Sequence, residues 1–300
     1  MAQYKGIILA GGSGSRLYPL TISTSKQLLP VYDKPMIFYP LSVLFLIGIR
    51  EICIITTPQD QKGFRDLLGD GSRFGAHFEY VTQESPDGLA QAYLLAENFI
   101  SGHPTAMILG DNIFYGADLK SRLVASMQGD IGCTIHGYAV ANPSSFGVVE
   151  FDEDHRVVSI VEKPKQPKSN FAITGLYFMD SSCVEKAKRV VESARGELEI
   201  TDILNQYFEE ENLSVNLLGR GFLWFDAGTH DNLLEASNLV GILQRRMNSL
   251  IGSPEEIALS NGWLNHQLMI DKIQIYGNSE YRDRLMRILA LSEKNYIRKH

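Results

Sequence analysis

The sequence predicts an α/β protein with a Rossmann-like, mixed but mainly parallel central sheet, flanked by helices and followed by a helical C-terminal extension. Short β-branched runs alternate with helical spacings in the first half of the chain. Such alternation produces parallel strands whose faces are covered by helices. From about residue 131 the predicted strands follow one another closely, which extends the same sheet. Beyond residue 230 the pattern is helical almost throughout.

Each element follows from its hydrophobic period and its bounding turn residues. The predicted strands of the first half are 6–10, 52–57, 78–82 and 106–110, and the helices lie near 36–48, 59–68 and 88–99. The predicted strands of the second half are 133–140, 147–151, 157–161 and 171–178, and the helices are 181–193 and 201–211. In the C-terminal part, glycine, proline or asparagine breaks the helical pattern at 252–254, 261–262 and 277–278.

The composition is that of a globular protein and disfavours several classes of function. The chain has 300 residues, of which 44% are hydrophobic and 21% charged, so it can bury a full core. Its net charge of −7 comes from interleaved acidic and basic residues, which disfavours binding to nucleic acid. The longest apolar run, 36–49, contains Pro40 and is shorter than the ~20 residues that span a membrane.

The cysteines and the N-terminal segment bear on where the protein works. Cys53, Cys133 and Cys183 are odd in number and widely spaced, so we expect them to be reduced core thiols. The short apolar run near the N-terminus leads into a glycine loop and Arg16, where a signal peptide would have a cleavage site with small residues. We therefore expect a cytoplasmic protein.

A glycine-rich loop follows the first predicted strand. Segment 11–16, Gly-Gly-Ser-Gly-Ser-Arg, lies at the carboxyl end of a parallel strand, where open α/β sheets bind ligands. Glycines let backbone N–H groups converge on an anion, and Arg16 adds a planar charge, which fits a triphosphate. The loop lacks the third glycine of the dinucleotide motif and the Gly-Lys-Ser/Thr of a P-loop. Taken alone, it is explained equally well as a tight turn.

Three further charged residues interrupt or end apolar segments, and Lys26 is the one for which a structural role is a poor explanation. Lys26 lies ten residues beyond Arg16, in the apolar and proline-bounded segment 25–31. Asp111 follows the strand 106–110 and so reaches the same edge of the sheet. Asp226 ends the run Phe-Leu-Trp-Phe-Asp before a predicted helix. Each aspartate alone could be a turn former or an N-cap, and for Asp226 the cap is the stronger alternative.

These segments resemble the signature of the sugar-phosphate nucleotidylyltransferases. The match covers 9–21 and 26–31 and continues at 83–92, 107–116, 147–164, 172–180, 196–203 and 222–230, which is nearly the whole chain. The resemblance implies the nucleotide-diphospho-sugar transferase fold. It implies a core at 1–230, with a nucleotide-binding half at about 1–130 and a sugar-binding half at about 131–230. Residues 231–300 would form the oligomer interface and the regulatory site.

The resemblance also implies an activity and partners. It is greatest to members that use dTTP and α-D-glucose 1-phosphate and give dTDP-glucose and pyrophosphate. That reaction is the first step towards dTDP-rhamnose and related deoxysugars for cell-surface polysaccharide. The implied partners are small-molecule substrates and further copies of the chain in a homotetramer built as a dimer of dimers, with no nucleic acid and no membrane.

The family's functional residues carry over position by position. Arg16 would bind the leaving pyrophosphate, Lys26 the α-phosphoryl region and Lys163 the attacking sugar phosphate, while Asp111 and Asp226 would hold Mg²⁺. The nucleotide-binding residues would be Leu9, Gly11, Gly12, Ser13, Gly14, Gln27, Gln83, Pro86, Gly88 and Asp111. The sugar-binding residues would be Phe146, Gly147, Glu162, Ile173, Arg195 and Thr201. The regulatory residues would be Tyr115, Gly116, Gly219, Arg220, Ser253 and Glu256.

In this resemblance Gln83 reads the base. An amide offers both a donor and an acceptor, which suits the N3–H and adjacent carbonyl of thymine or uracil. The alternative is that Asp87-Gly88 merely forms a turn before a helix. The chain departs from the family's residue types at three positions: Glu84 for proline, Phe146 for tyrosine and Ala117 for histidine. The second removes a hydroxyl near the sugar, and the third lies in the regulatory segment.

Two other functions stay open at this point. A glutamine that reads uracil would not strongly reject UTP, because a methyl contact is worth only ~1 kcal/mol. A non-catalytic, nucleotide-sensing subunit would have lost the arginine, the lysine or the metal aspartates, all of which are present here.

Overall fold

The computed structural model describes residues 3–129, 131–154 and 156–297. The strands are β1 (Lys5–Ala10), β2 (Pro30–Val31), β3 (Lys34–Pro35), β4 (Glu51–Thr56), β5 (His77–Thr82), β6 (Thr105–Leu109), β7 (Asn112–Gly116), β8 (Cys133–Ala139), β9 (Gly147–Phe151), β10 (Val157–Glu162), β11 (Phe171–Met179), β12 (Leu213–Leu218) and β13 (Phe222–Asp226). The helices are α1 (Phe38–Leu46), α2 (Gln61–Leu68), α3 (Gln91–Leu95), α4 (Glu97–Ile100), α5 (Leu119–Ala125), α6 (Cys183–Ala187), α7 (Ile200–Glu209), α8 (His230–Met247), α9 (Pro254–Ser260), α10 (His266–Lys272) and α11 (Glu280–Ile297).

Nine of the described strands form one mixed sheet. Its path is β10-β9-β11-β6-β1-β4-β5, with β8 paired to β11 and β12 to β8. The strands β6, β1, β4 and β5 are parallel, and β11 runs antiparallel to β6, β8 and β9. The chain leaves β1 towards β4 on one side and returns to β6 on the other. A crevice for ligands therefore opens outside the carboxyl ends of β1 and β6.

Two apolar cores cover the faces of this sheet. Side chains of β1 alternate between them, so that Ile8 packs into one core and Ile7 into the other. The first core holds α1 and residues of α9 to α11, and the second holds α3, α6 and α7. Because both faces are buried, the parallel strands read as nearly continuous apolar runs.

The predicted mixed, mainly parallel sheet flanked by helices, with a helical C-terminal part, is confirmed. Two helix predictions were too long. The segment 88–99 forms two short helices, α3 and α4, which meet at Ala96. The segment 181–193 is helical only to Ala187, and Val190 beyond it packs against the second core. The sequence prediction omitted β2, β3, β7, β12, β13 and α5.

The predicted breaks of the C-terminal region are confirmed, and side chains cap the helices that follow them. The Ser253 hydroxyl accepts from Glu256 N at the start of α9, with Pro254 in the first turn. Asn265 caps α10 in the same way. In the described ranges, no helix combines the length and the apolar character that a membrane span requires.

Candidate active site

A cavity of about 500 Å³ opens at the carboxyl ends of β1 and β6. Residues of β9, β10 and β11 contribute to the same cavity, so both halves of the sheet meet in it. The predicted site residues that line it are Leu9, Gly11, Gly12, Arg16, Lys26, Gln27, Gln83, Pro86, Gly88, Asp111, Phe146, Gly147, Glu162, Lys163, Ile173, Thr201 and Asp226. Its size is typical of a pocket for small organic ligands.

Two residues of the predicted phosphate loop do not line the cavity. The Ser13 side chain is exposed, and its hydroxyl donates to the hydroxyl of Ser15. Gly14 has φ +62° and begins a short helical turn, while its carbonyl accepts from the Thr21 hydroxyl at 2.8 Å. These contacts of the two residues are within the loop or to Thr21, outside the cavity lining. Gly11, Gly12 and Arg16 are the loop residues that line the cavity.

Lys26 is held at the mouth of the cavity by the turn that contains it. Ser25 Oγ donates to Gln27 Oε1 at 2.5 Å, and Gln27 O accepts from Ile37 N at 2.9 Å, which anchors the turn to the start of α1. The Lys26 ammonium donates to the Asp111 carboxylate, and both side chains are largely buried. Burial raises the pKa of Asp111, but the charge and hydrogen bond of Lys26, together with the hydrogen bond from Asn112, hold that pKa below its usual value.

Asn112, which the sequence analysis did not single out, orients this group. Its Nδ2 donates to Asp111 Oδ1 at 3.1 Å. Its Oδ1 accepts from Trp224 Nε1 at 2.6 Å and from Gly175 N at 3.0 Å. Only 1% of Asn112 is exposed, so these hydrogen bonds lie inside the protein. One buried amide therefore joins β7, β11 and β13 behind the carboxylate.

Asp226 ends β13, opposite Asn112 in the antiparallel pair of β7 and β13. The helix cap considered for Asp226 belongs instead to Thr229, whose hydroxyl accepts from Asn232 N at 3.3 Å. The carboxylate of Asp226 accepts from Gly228 N at 3.1 Å. The alternative of an N-cap at position 226 is therefore excluded.

The pKa values of the two aspartates in the cavity shift in opposite directions. Burial, followed by repulsion from Asp111, raises the pKa of Asp226 to about 6, although Lys26 and Arg16 act in the opposite direction. A Cβ on Gly228 would lie 2.9 Å from both Arg16 Nη2 and Asp226 Oδ1, so these two groups flank the glycine. Asp226 is thus the carboxylate with the weaker compensation, and a further cation would stabilise its charged form.

The two aspartates offer a donor set for a hard cation. In ranges 3–129, 131–154 and 156–297, no three His, Cys, Asp or Glu side chains converge as a complete metal site. A pair of carboxylates is how proteins hold Mg²⁺ when phosphate oxygens and water complete its coordination. The chemistry of Asp111 and Asp226 fits that mode.

The opposite wall of the cavity comes from β9, β10 and α7. A Cβ on Gly147 would lie 3.1 Å from Thr201 Cγ2, 3.2 Å from Ile173 Cδ1 and 3.4 Å from Glu162 Oε2, so a larger residue would fill this wall. Lys163 has φ +40°, a left-handed conformation that costs free energy, and its Nζ lies 3.6 Å from Glu162 Oε1. Burial raises the pKa of Glu162. The Lys163 ammonium and the Glu162 carboxylate therefore lie beside a space that Gly147 keeps open.

Among the predicted catalytic, metal-binding, nucleotide-binding and sugar-binding residues, Arg195 is the third that does not line the cavity. Its Nη2 lies 2.7 and 2.8 Å from the two oxygens of Glu199 and 3.2 Å from Glu197 Oε2. It also lies 3.5 Å from Glu162 Oε1. Arg195 thus forms ion pairs with three carboxylates, of which Glu162 and Glu197 line the cavity.

The turn predicted to read the base is locked onto the segment before α7. Leu198 N donates to Asp87 O at 2.6 Å, and Ala90 N donates to Leu198 O at 3.1 Å. Between them, Gly88 has φ +111°, and a Cβ there would lie 2.3 Å from Leu198 O. Glycine is therefore required at position 88, and the base side of the cavity is tied to the sugar side.

Further residues line the cavity that were not predicted: Leu89, Leu109, Asn112, Ser145, Gly175, Tyr177, Glu197, Ile200 and Trp224. Phe146 and Trp224 pack edge to face, with ring centroids 5.2 Å apart, and form an aromatic wall. All except Ser145 lie in segments that match the family pattern. Their position inside those segments was the available signal.

The predicted regulatory residues line neither this cavity nor a second one of about 220 Å³ between α8 and α11. Tyr115 Oη donates to Met247 Sδ at 3.0 Å. Gly116 pairs with Phe222 in the two-stranded sheet of β7 and β13, called the small sheet below. Gly219 and Arg220 form an exposed turn. Ser253 is buried as a helix cap, and burial raises the pKa of Glu256 to about 7. Their regulatory role stays a prediction.

Known proteins resemble this chain over most of its length. Residues 5–241 match the profile of the nucleotidyl transferase family. The chain is 53% identical to a glucose-1-phosphate thymidylyltransferase of Neisseria meningitidis, over 95% of this chain and 99% of that protein. It is 48% identical to a glucose-1-phosphate thymidylyltransferase of Mycobacterium tuberculosis, also over 95% of this chain and 99% of that protein.

Solved structures show the same fold. A provisionally assigned glucose-1-phosphate thymidylyltransferase from Bacillus anthracis, in complex with a sucrose, superposes with a TM-score of 0.74 at 42% identity, over 79% of this chain and 94% of that one. A UDP-glucose pyrophosphorylase complexed with UDP-glucose superposes with a TM-score of 0.70 at 24% identity, over 79% of this chain and 97% of that one, which concerns the fold alone. The chain therefore belongs to the nucleotidyl transferase family and, within it, to the group of the glucose-1-phosphate thymidylyltransferases.

Proposed function

We propose that the protein transfers a thymidylyl group from dTTP to α-D-glucose 1-phosphate, giving dTDP-glucose and pyrophosphate. The observation that carries this proposal is one cavity with two opposed charged groups. Arg16, Lys26 and the two aspartates stand on one side, and Lys163 with Glu162 stands on the other. Such an arrangement can hold two anionic substrates end to end. The names of the relatives supply the choice of thymidylyl and glucose.

The reaction proposed is an in-line displacement at the α-phosphorus of the triphosphate. An oxygen of the sugar phosphate forms the new P–O bond while the bond to pyrophosphate breaks, so no covalent intermediate is needed. Lys163 would hold the attacking phosphate, Lys26 would stabilise charge at the α-phosphoryl group, and Arg16 would bind the leaving pyrophosphate. Glu162 would accept hydrogen bonds from sugar hydroxyls. Alignment of attacking and leaving oxygens is the main contribution of these residues.

We propose that Mg²⁺ is the cofactor. Asp111 and Asp226 would hold it, and the ion would neutralise phosphate charge shared between the substrates. The raised pKa of Asp226 supports this assignment, because a bound cation would remove the repulsion between the two carboxylates.

The remaining expectations about assembly stay proposals. We propose a core at 1–230 and a C-terminal region at 231–300 that forms subunit contacts in a homotetramer. Leu234, Ile242 and Met247 of α8 support this, since 60%, 49% and 51% of their surfaces are exposed in the single chain. A cytoplasmic location would suit Cys53, Cys133 and Cys183, which are buried free thiols. Light scattering of the purified protein measures the number of subunits.

Pyrophosphate release tests the proposed reaction. Purified protein is assayed with Mg²⁺ and with dTTP, UTP, ATP, CTP or GTP, each paired with glucose, galactose or mannose 1-phosphate. We expect the highest turnover with dTTP and glucose 1-phosphate, and none after chelation of the metal. Highest turnover with UTP would move the specificity to a uridylyltransferase. Nucleotide binding without turnover on any pair would replace the proposal by a nucleotide-sensing subunit.

A further inference from the structure

A chain of two hydrogen bonds runs from the predicted base-reading residue to a carboxylate. Gln83 Nε2 donates to Gln91 Oε1 at 2.6 Å, and Gln91 Nε2 donates to Asp87 Oδ2 at 2.7 Å. Gln91 is the first residue of α3, and Asp87 lies in the turn before it. Only 4% of Gln83 is exposed, so its amide has few partners to choose from.

The direction of this chain follows from its last member. A carboxylate accepts hydrogen bonds and cannot donate them when ionised, so the NH₂ group of Gln91 must face Asp87. The carbonyl of Gln91 then faces Gln83, and the NH₂ group of Gln83 must face Gln91. The oxygen of Gln83 is thereby left on the opposite side, beside Gly11, where a Cβ would lie only 2.0 Å from it.

We propose that Asp87 and Gln91 are positioning residues that fix the polarity of the Gln83 amide and so set base selectivity. This inference rests on the proposed function for the role of Gln83. The locked amide presents its oxygen and one remaining N–H to the cavity. That pair complements the N3–H and neighbouring carbonyl of thymine or uracil. Cytosine has an acceptor at N3 and an amino group beside it, so it would require the reversed amide.

Reversal of the Gln83 amide is costly in this structure for a local reason. It would set the carbonyl of Gln83 against the carbonyl of Gln91, unless Gln91 reversed as well. Reversing Gln91 would set its carbonyl against the Asp87 carboxylate, which has no proton to donate. Hydrogen bonds to charged groups are the stronger ones, so the carboxylate end controls both amides. Asp87 thus acts on the base through two side chains without touching it.

Replacement of the carboxylate by an amide removes the lock. In the Asp87→Asn variant the new amide can either accept from Gln91 or donate to it, so both orientations of Gln83 become available. The double variant Asp87→Asn with Gln91→Glu restores the lock, because the carboxylate introduced at position 91 accepts both from the amide at position 87 and from Gln83. The double variant also keeps the net charge of the natural chain. Gln61→Glu is the matched control, since Gln61 donates to Thr82 Oγ1 at the end of the same strand β5.

The measurement is the ratio of affinities for dTTP and dCTP, obtained by calorimetry, alongside the ratio of kcat/KM for the same nucleotides. We expect the dTTP preference to fall by about tenfold or more in Asp87→Asn. It should return to within about threefold of the natural value in the double variant and stay unchanged in Gln61→Glu. Thermal unfolding of each variant accompanies the titrations.

Three outcomes would overturn the inference: equal binding of dTTP and dCTP by the natural protein, an unchanged ratio in Asp87→Asn, or a double variant that stays unselective. The last would assign the hydrogen bonds a purely structural role, and it decides the matter even if Asp87→Asn is unstable. The binding ratio does not depend on turnover. Selective binding with no pyrophosphate release would therefore refute the proposed function and leave the positioning role standing.

Discussion

The contact between Gly88 and Leu198 predicts that Gly88→Ala disables the site while leaving most of the fold intact. A Cβ at position 88 would lie 2.3 Å from Leu198 O, 2.5 Å from its N and 2.8 Å from its C. These are backbone atoms, and Leu198 N and O both hold hydrogen bonds to the turn at 87–90. The clash therefore has no flexible side chain to absorb it.

The size of the effect can be worked from these distances. The turn and the Leu198 segment must separate by at least ~0.7 Å, since real Cβ contacts rarely fall below about 3.0 Å. Alanine at φ +111° adds about 1–2 kcal/mol of backbone strain. We expect the free energy of unfolding to fall by about 3 kcal/mol in total. Displacement of a binding group by nearly 1 Å lowers kcat/KM by about 10²-fold.

The assay is steady-state pyrophosphate release with dTTP, together with urea unfolding of each variant. Gly102→Ala is the control, because Gly102 also has a left-handed φ of +76° but has open space where its Cβ would lie. It should lose only the strain energy and keep kcat/KM within about twofold of the natural value. If Gly88→Ala retained the same kcat/KM as Gly102→Ala, the proposed coupling of the turn to the Leu198 segment would be refuted.

Three further predictions concern charge. Lys26→Ala should lower kcat by about 10²-fold or more, because a preorganised cation is lost. Lys62→Ala, at an exposed lysine, should leave kcat unchanged, and equal turnover in both variants would remove Lys26 from the site. Asp226→Asn keeps the shape but removes one carboxylate, so the Mg²⁺ concentration for half-maximal pyrophosphate release should rise about tenfold or more; an unchanged requirement would place the metal elsewhere. Burial lowers the pKa of His136 to about 4, so as pH falls this imidazole is protonated in the unfolded chain before it is protonated in the folded one. The free energy of unfolding, measured with urea, should therefore be about 2 kcal/mol lower at pH 5 than at pH 7. His136→Gln should lose that share of the pH dependence, whereas the exposed His77→Gln should keep it. If His136→Gln kept the full pH dependence as well, other groups would be its source.

Local pattern was sufficient for the central strands and insufficient for the small sheet. Segment 6–10 has an apolar run bounded by a glycine loop, and its two faces are indeed buried in two cores. Segment 112–116 has only three consecutive apolar residues, Ile113 to Tyr115, and it becomes a strand by pairing with 222–226 from the other half of the chain. Pairing between distant segments depends on the rest of the fold, which a local period does not describe.

The site residues also divide into those that have a local sequence signal and those that have none. Lys26 could be singled out because a lysine in an apolar segment lacks a local structural explanation, and it lies at the cavity. Asn112 could not, since its role arises only where Trp224 and Gly175 come within hydrogen-bonding distance of it. Arg195, which was predicted to bind the sugar, does not line the cavity and forms ion pairs with Glu197 and Glu199, its neighbours in the chain.

The pairing of β7 with β13 also has a consequence for how the protein is made. Asp111 emerges from the ribosome with the first half of the chain, whereas Asp226 follows only after the strands of the main sheet have all been synthesised. The N-terminal part of a chain emerges first during synthesis, so the strands of the main sheet leave the ribosome before the second carboxylate does. Closure of the small sheet would then be the event that brings the two acids together. A nascent or prematurely terminated chain would carry the glycine loop and Lys26 without the means to use them.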